Sequence, residues 1–275
     1  MKMMKYTLPL MAAMTALTAC GPKDQAPKVL VLYYSQTATT ETLAQEIQSK
    51  LGADVEKIVV VDPYDGTFQE TVERGMREKG EGVLPELQPL KLDPDDYDII
   101  FLGYPIWFGT YAPPIAALLE QEDFAGKKVV PFCTFGSGGL VSSAKDIAAA
   151  LPQSEVRSGY GVRAARIDAM PGEVERFLKE NGYLAGTVEP LPDFPEAHPA
   201  SEAEAAIFDA AVRDYPRIQA RATEVASRTV PSGVEYLFTA VELPREGAPQ
   251  REPQSLKVYV IAAEGQAPVF TQVVR

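Results

Sequence analysis

The sequence has few of the residues that build metal sites and acid–base centres. Among 275 residues there are one histidine and two cysteines. The histidine, His198, lies in a proline-rich segment, so a histidine acid or base is poorly supplied elsewhere. Cys133 falls in an apolar run and is predicted to be a buried packing residue. We expect no metal site from this set.

Basic residues are also scarce. Lysine and arginine number 26 against 38 aspartates and glutamates, a net charge of −12. Nucleic-acid binding is therefore not expected, since little is available to neutralise phosphates. The acidity either serves solubility or steers basic partners. Both interpretations stay open, because the sequence does not show where the charges lie.

The N-terminal apolar run, 6–17, is too short to span a membrane. Lys2 and Lys5 precede it, and small residues and Cys20 follow, as in a secretory signal. The stretch from Leu17 to Cys20 resembles a bacterial lipobox. That implies removal of residues 1–19, a lipid on Cys20 and a tether over 20–27. The protein would then sit in the cell envelope, at the periplasmic face of the inner membrane or at the outer membrane. The alternative is a plain signal peptide with a chance cysteine. A lipidated Cys20 would leave Cys133 without a disulfide partner.

A buried strand from Lys28 is followed by a small polar turn and a helix start. The turn consists of Ser35, Gln36, Thr37, Ala38, Thr39 and Thr40. Such a turn offers backbone N–H groups at the positive end of a helix, together with hydroxyl donors, which suits a phosphate monoester. It holds no lysine or arginine. The alternative is an ordinary Ser/Thr cap of the helix.

Two further buried strands also end in unusual loops. The strand from Tyr97 runs into Pro105, Ile106, Trp107, Phe108 and Gly109, and the strand from Lys128 runs into Thr134, Phe135, Gly136, Ser137, Gly138 and Gly139. Three such loops are typical of a doubly wound α/β sheet that binds a ligand across its strand ends.

In order and spacing, the three loops resemble those of flavodoxins, over residues 28–186. The resemblance implies a five-stranded parallel sheet of order 2-1-3-4-5 and FMN as cofactor. The turn 35–40 would wrap the FMN phosphate. The loop 105–110 would lie beside the isoalloxazine, with Trp107 on the ring or at its edge, and 134–139 would approach the other side. Trp107 could instead be a core residue.

Two positions depart from the family's pattern. Ala38 stands where glycine is usual, at a cost of about 1 kcal/mol if φ is positive there. Phe135 stands where relatives often carry histidine, which removes a proton donor and favours electron transfer to a redox protein or a small-molecule acceptor. An NAD(P)H-dependent reductase remains an alternative, because hydride transfer to a flavin needs no protein acid or base. A flavin-free scaffold is the third alternative.

The remaining elements of this domain follow from periodicity. Helices are predicted over 41–51, 67–78, 111–119, 141–151 and 172–181, and strands over 54–61 and 155–162. In the second of these helices, Phe68, Val72 and Met76 form an apolar stripe that is expected to face inward.

A proline-rich linker is predicted over 187–200, and a second, α+β domain over 201–275. A helix over 201–215 and strands over 218–230, 233–243, 256–263 and 269–274 predict one helix on a four-stranded antiparallel sheet. This layout resembles a cystatin-like domain. Thr229 and Pro231 replace residues of the inhibitory hairpin, so inhibition of a cysteine protease is not expected, and a docking or scaffold role is favoured.

Overall fold

The computed structural model describes residues 26–244 and 254–274. They form two units, each with its own sheet and core. The predicted signal peptide, Cys20 and most of the tether lie outside the described residues, so the predictions made for them stay predictions. Among the helices that the structure describes, none is both long and apolar enough to cross a membrane.

The first sheet is built on parallel strands. Its strands are β1 (Val29–Tyr33), β2 (Asp54–Lys57), β3 (Ile99–Trp107), β4 (Thr110–Tyr111), β5 (Lys128–Phe135), β6 (Glu155–Val156) and β7 (Tyr160–Arg163). The order is β2-β1-β3-β5-β6, with β7 also beside β5 and β4 antiparallel to β3. The predicted doubly wound fold and strand order are confirmed.

The fifth strand position differs from its prediction, because two short strands share it. Lys128 pairs with Glu155, and Phe132 pairs with Tyr160. The break between the two strands falls beside Pro131, which has no N–H to donate to a neighbouring strand.

Helices cover both faces of this sheet. They are α1 (Thr39–Leu51), α2 (Phe68–Glu81), α3 (Pro113–Gln121), α4 (Leu140–Ala150) and α5 (Met170–Glu180). Alternate residues of β1 enter different cores: Leu30 and Leu32 pack on one side, and Val31 and Tyr33 on the other. The apolar run at 29–33 is thus the central, doubly covered strand that such a run predicts.

The inward orientation predicted for the apolar stripe of α2 was wrong. Phe68 is 76% exposed and Met76 is 60% exposed. The helix does begin where the sequence predicted, since Thr67 and Glu70 form a capping box. The error therefore concerns which face is covered, and not whether the helix forms.

The buried face of α2 is made of Thr71, Gly75 and Glu78. Gly75 admits the ring of Phe108, because a Cβ at this glycine would lie 3.0 Å from the ring. Glu78 accepts a buried hydrogen bond of 2.5 Å from the Tyr64 hydroxyl. Close backbone approach and a buried polar bond, rather than apolar side chains, decide which face turns inward.

The second sheet is antiparallel. Its strands are β8 (His198–Pro199), β9 (Ala220–Val230), β10 (Gly233–Glu242), β11 (Ser255–Ala262) and β12 (Val269–Val274), in the order β12-β11-β10-β9-β8, with helix α6 (Glu202–Val212) packed on it. The core includes Phe208, Phe238 and Phe270. The four predicted strands are present. A fifth, β8, lies in the stretch predicted to be only a linker, where His198 pairs with Val225.

Candidate functional site

The three predicted loops meet at one edge of the first sheet, because the parallel strands β1, β3 and β5 all end there. A hydrogen bond of 2.8 Å joins the hydroxyls of Thr40 and Thr134. Both side chains are buried. The first and third loops are therefore fixed against each other by a bond that spans 94 residues of sequence.

The first loop turns at Ala38, which has φ 63° and ψ −8°. The strain expected at Ala38 depends on a positive φ, and φ is positive. Ala38 occupies the N-cap position of α1 and has no capping side chain. Ser35 partly supplies the missing cap, because its hydroxyl accepts a hydrogen bond of 3.2 Å from the Glu41 N–H. The capping interpretation of the turn is thus correct for Ser35.

The backbone N–H groups of residues 36–40 remain open. Within the described ranges, none of them donates to an acceptor of the protein. They lie at the N-terminus of a helix of 13 residues, where the helix dipole favours an anion. Thr37 is exposed and Thr39 is half-buried. This turn can therefore hold an anionic group through neutral donors.

Gln36 was assigned to the same phosphate-binding turn, but its side chain has another contact. The amide nitrogen donates to the Tyr64 carbonyl at 2.9 Å and to the Thr71 hydroxyl at 3.0 Å. This side chain ties the turn to the start of α2. The amide nitrogen of Gln36 is therefore already bonded within the protein.

The second loop, predicted over 105–110, is instead the end of a strand followed by a tight hairpin. Pro105, Ile106 and Trp107 belong to β3, and Trp107 pairs with Thr110 of β4. The turn residues Phe108 and Gly109 have φ 51° and 85°. Two positive φ angles characterise the two-residue turn that matches strand twist. Phe108 is a bulky residue in this strained position, and it is 41% exposed.

Trp107 belongs to an aromatic cluster. Its ring lies edge-on to Tyr34 and Tyr64, with ring centroids 6.2 and 5.1 Å away. Burial raises the pKa of both tyrosines, so they stay neutral over the ordinary pH range. Trp107 is half-buried and also lines the cleft described below. Trp107 thus packs against the core and also borders the cleft.

The third loop begins inside β5, which contains Thr134 and Phe135. The Phe135 ring is 4% exposed and lies against Gly161, so this side chain is a core residue. Gly138 and Gly139 have φ 156° and 126°. A Cβ on Gly139 would lie 2.6 Å from Ile106, so the third loop packs directly against the hairpin.

A cleft of about 850 Å³ opens beside the hairpin and the third loop. Phe68 and Val72, two residues of the outward stripe of α2, line it. The cleft is also lined by residues that the sequence did not predict for the site, among them Lys145, Tyr215, Arg217, Gln272, Val273 and Val274. No sequence signal marks the five residues of the second domain in this list. The sequence pattern of that domain does not tell which of its faces meets the first domain.

Fold and loops define a doubly wound α/β protein with a binding site at the carboxyl ends of its strands. A family model described as Flavodoxin matches residues 28–169, just over half of the chain, and the chain belongs to the flavodoxin family.

Solved structures are similar to part of the chain. A protein of Bacteroides eggerthii described as a flavoprotein is 27% identical over 54% of this chain and 98% of its own, with a TM-score of 0.46. One of Bacteroides uniformis is 25% identical over 55% and 99%, with a TM-score of 0.49. A flavoprotein of Lactobacillus acidophilus in complex with FMN is 25% identical over 53% and 99%, with a TM-score of 0.44.

Proposed function

We propose that the protein binds FMN at the three loops and passes electrons between redox partners. The observation that carries this proposal is the turn 36–40, whose backbone N–H groups are open at a helix N-terminus. Backbone N–H groups at a helix N-terminus can bind a phosphate without a lysine or arginine, and this turn contains neither.

The other two loops fit the remainder of FMN. The residues 136–139 include three glycines, which let backbone amides approach a flat ring closely. The half-buried Trp107 borders the same cleft from the hairpin. When bound, FMN supplies the redox chemistry, and the chain binds and orients it.

Electron transfer is favoured over acid–base chemistry. Phe135, at the position where relatives often carry histidine, is a core residue. The only histidine, His198, pairs with β9 in the second sheet. An NAD(P)H-dependent reductase is the second candidate, and the observation that favours it is the cleft volume of about 850 Å³, in the upper part of the range of small-molecule sites.

The test is FMN uptake by residues 21–275. The purified protein is incubated with FMN, desalted and measured by absorption, and about one flavin per chain with quenched Trp107 fluorescence is expected. Thr37→Asp places a negative charge beside the phosphate and should abolish FMN uptake. Thr37→Asn is the matched control, because asparagine has nearly the shape of aspartate without the charge, and this variant should bind FMN. A wild-type protein that stays colourless would refute the proposal and favour the flavin-free scaffold.

Anchoring of the protein at a membrane is a further part of this proposal. It rests on the lipobox-like stretch that ends at Cys20. By mass spectrometry, the wild-type protein should lack residues 1–19 and carry a lipid on Cys20, and Cys20→Ala should carry none. A wild-type protein without a lipid on this cysteine would contradict the anchor.

We also propose that the second domain is cystatin-like and serves docking rather than protease inhibition. The packing of α6 on an antiparallel sheet supports the resemblance. Inhibition of papain by the purified protein would contradict the docking role.

A further inference from the structure

The second domain is seated on the glycine loop of the first. The Val273 N–H of β12 donates a hydrogen bond of 2.6 Å to the Ser137 carbonyl. The next residue, Gly138, has no room for a side chain, because a Cβ there would lie 2.3 Å from the Val273 carbonyl oxygen. The two backbones therefore touch at the loop that borders the cleft.

Arg163, the last residue of β7, links the same two segments. Its Nε donates to the Gly136 carbonyl at 2.9 Å, and its Nη1 donates to the Phe270 carbonyl at 2.8 Å. The guanidinium carbon lies 3.5 Å from the centre of the Phe270 ring. Burial lowers the pKa of Arg163, but an arginine keeps its charge at every ordinary pH. One side chain thus holds a loop carbonyl and a carbonyl of β12 together.

The second domain also reaches the cleft itself. Tyr215, which follows α6, has its hydroxyl 3.2 Å from the place where a Cβ on Gly136 would be. Gln272 and Val274 line the cleft on either side of Val273. Consequently the cleft that borders the hairpin of the first domain has a wall from the second.

We propose that the second domain is part of the FMN site: β12 and Arg163 hold residues 136–138 in their binding shape, and residues 272–274 wall the cleft. This inference rests on the proposed FMN binding. Its physical reason is the composition of the loop, since glycines lose more conformational freedom on ordering than other residues do. Contacts that order the loop before FMN arrives reduce that loss on binding.

The test breaks the interdomain contact at Val273. Val273→Pro deletes the N–H that donates to Ser137, and its ring carbon takes the place of that hydrogen, so β12 must also move away from the loop. This N–H points away from β11, and β12 is an edge strand, so proline is tolerated there. Val273→Ala is the matched control, because it shortens the side chain and keeps the donor. FMN dissociation constants are measured by flavin fluorescence on residues 21–275.

We expect Val273→Pro to bind FMN about tenfold more weakly than Val273→Ala, which corresponds to about 1.4 kcal/mol. Arg163→Lys keeps the charge but cannot bridge two carbonyls, and it should weaken binding similarly. Because both changes free the same loop, the double variant should bind little worse than the weaker single variant. At saturating FMN, the visible circular dichroism of the flavin should change in the proline and lysine variants alone.

The outcomes separate the two proposals. If the wild-type protein fails to bind FMN, the proposed function falls. If it binds, and Val273→Pro and Arg163→Lys match Val273→Ala in affinity and in the flavin spectrum, the second domain is only packed nearby and this inference is overturned. A lower unfolding temperature with unchanged FMN affinity would have the same meaning. Should Val273→Pro fail to fold, Arg163→Lys alone decides.

Discussion

Replacement of Ala38 by glycine should stabilise the protein. Ala38 has φ 63°, a conformation that costs an L-residue about 1–2 kcal/mol. Glycine removes this strain but gains freedom in the unfolded chain, which returns about 0.5–1 kcal/mol. The difference between the two ranges is about 0–1.5 kcal/mol, and we expect a net gain near its middle, about 0.8 kcal/mol.

The assay is urea denaturation of residues 21–275 without FMN, with Ala148→Gly as the matched control. Ala148 is exposed and helical in α4, so the same chemical change there should cost up to about 1 kcal/mol. The two alanine-to-glycine changes should therefore shift the urea midpoint in opposite directions. Equal destabilisation by both would refute the argument, since it would mean that position 38 carries no strain to relieve.

FMN titration of Ala38→Gly extends this prediction. If the turn has its present shape before FMN binds, the substitution stabilises the protein and leaves the FMN affinity almost unchanged. If the shape forms only on binding, the relief of about 1 kcal/mol appears instead as roughly fivefold tighter binding. The pair of measurements thus tells whether the turn is formed in advance.

Three further outcomes test other parts of the structure. Thr40→Val leaves the buried Thr134 hydroxyl without its partner and should cost about 1–3 kcal/mol in urea denaturation, and the double Thr40→Val/Thr134→Val variant should lose less than the sum of the single losses; additive losses would contradict this. Two lysines that donate to Glu175 lower its pKa to about 2, so its stabilising effect is present above its unfolded pKa near 4.5 and is lost as pH falls toward 2. The difference in unfolding temperature between wild type and Glu175→Gln should shrink over that range, and a difference that stays constant would count against the ion pairs. Burial raises the pKa of the Cys133 thiol, so a thiol reagent should label residues 21–275 only as fast as they unfold; prompt labelling of native protein would contradict the burial.

Much of the first domain could be predicted because its signals are local. The apolar run of β1, the polar turn and the glycines after β5 each point to one structure. The family's glycine at position 38 pointed to a positive φ as the condition for strain at Ala38, and the structure meets that condition. Strand order followed only from the resemblance, since periodicity does not tell which strands are neighbours.

The wrong or missing predictions concern features that depend on contacts with backbone far away in the sequence. The stripe of α2 has helical spacing, but Gly75 and Glu78 determine which face is covered, through a ring and a hydroxyl that come from elsewhere in the chain. The docking of the second domain is harder still. Its hydrogen bonds end on the carbonyls of Ser137 and Phe270, and every residue type carries a carbonyl. The residue types at those positions therefore do not indicate that another segment binds there.

The direction of β1 places the start of this strand and the cleft at opposite edges of the first sheet. Lys28, just before β1, donates its backbone N–H to Asp98 at the amino edge of the sheet. The cleft lies at the opposite, carboxyl edge, about 17 Å further along a five-residue strand. With a lipid on Cys20, the point of attachment and the mouth of the cleft would lie at opposite edges of the sheet, so attachment itself would not cover the cleft.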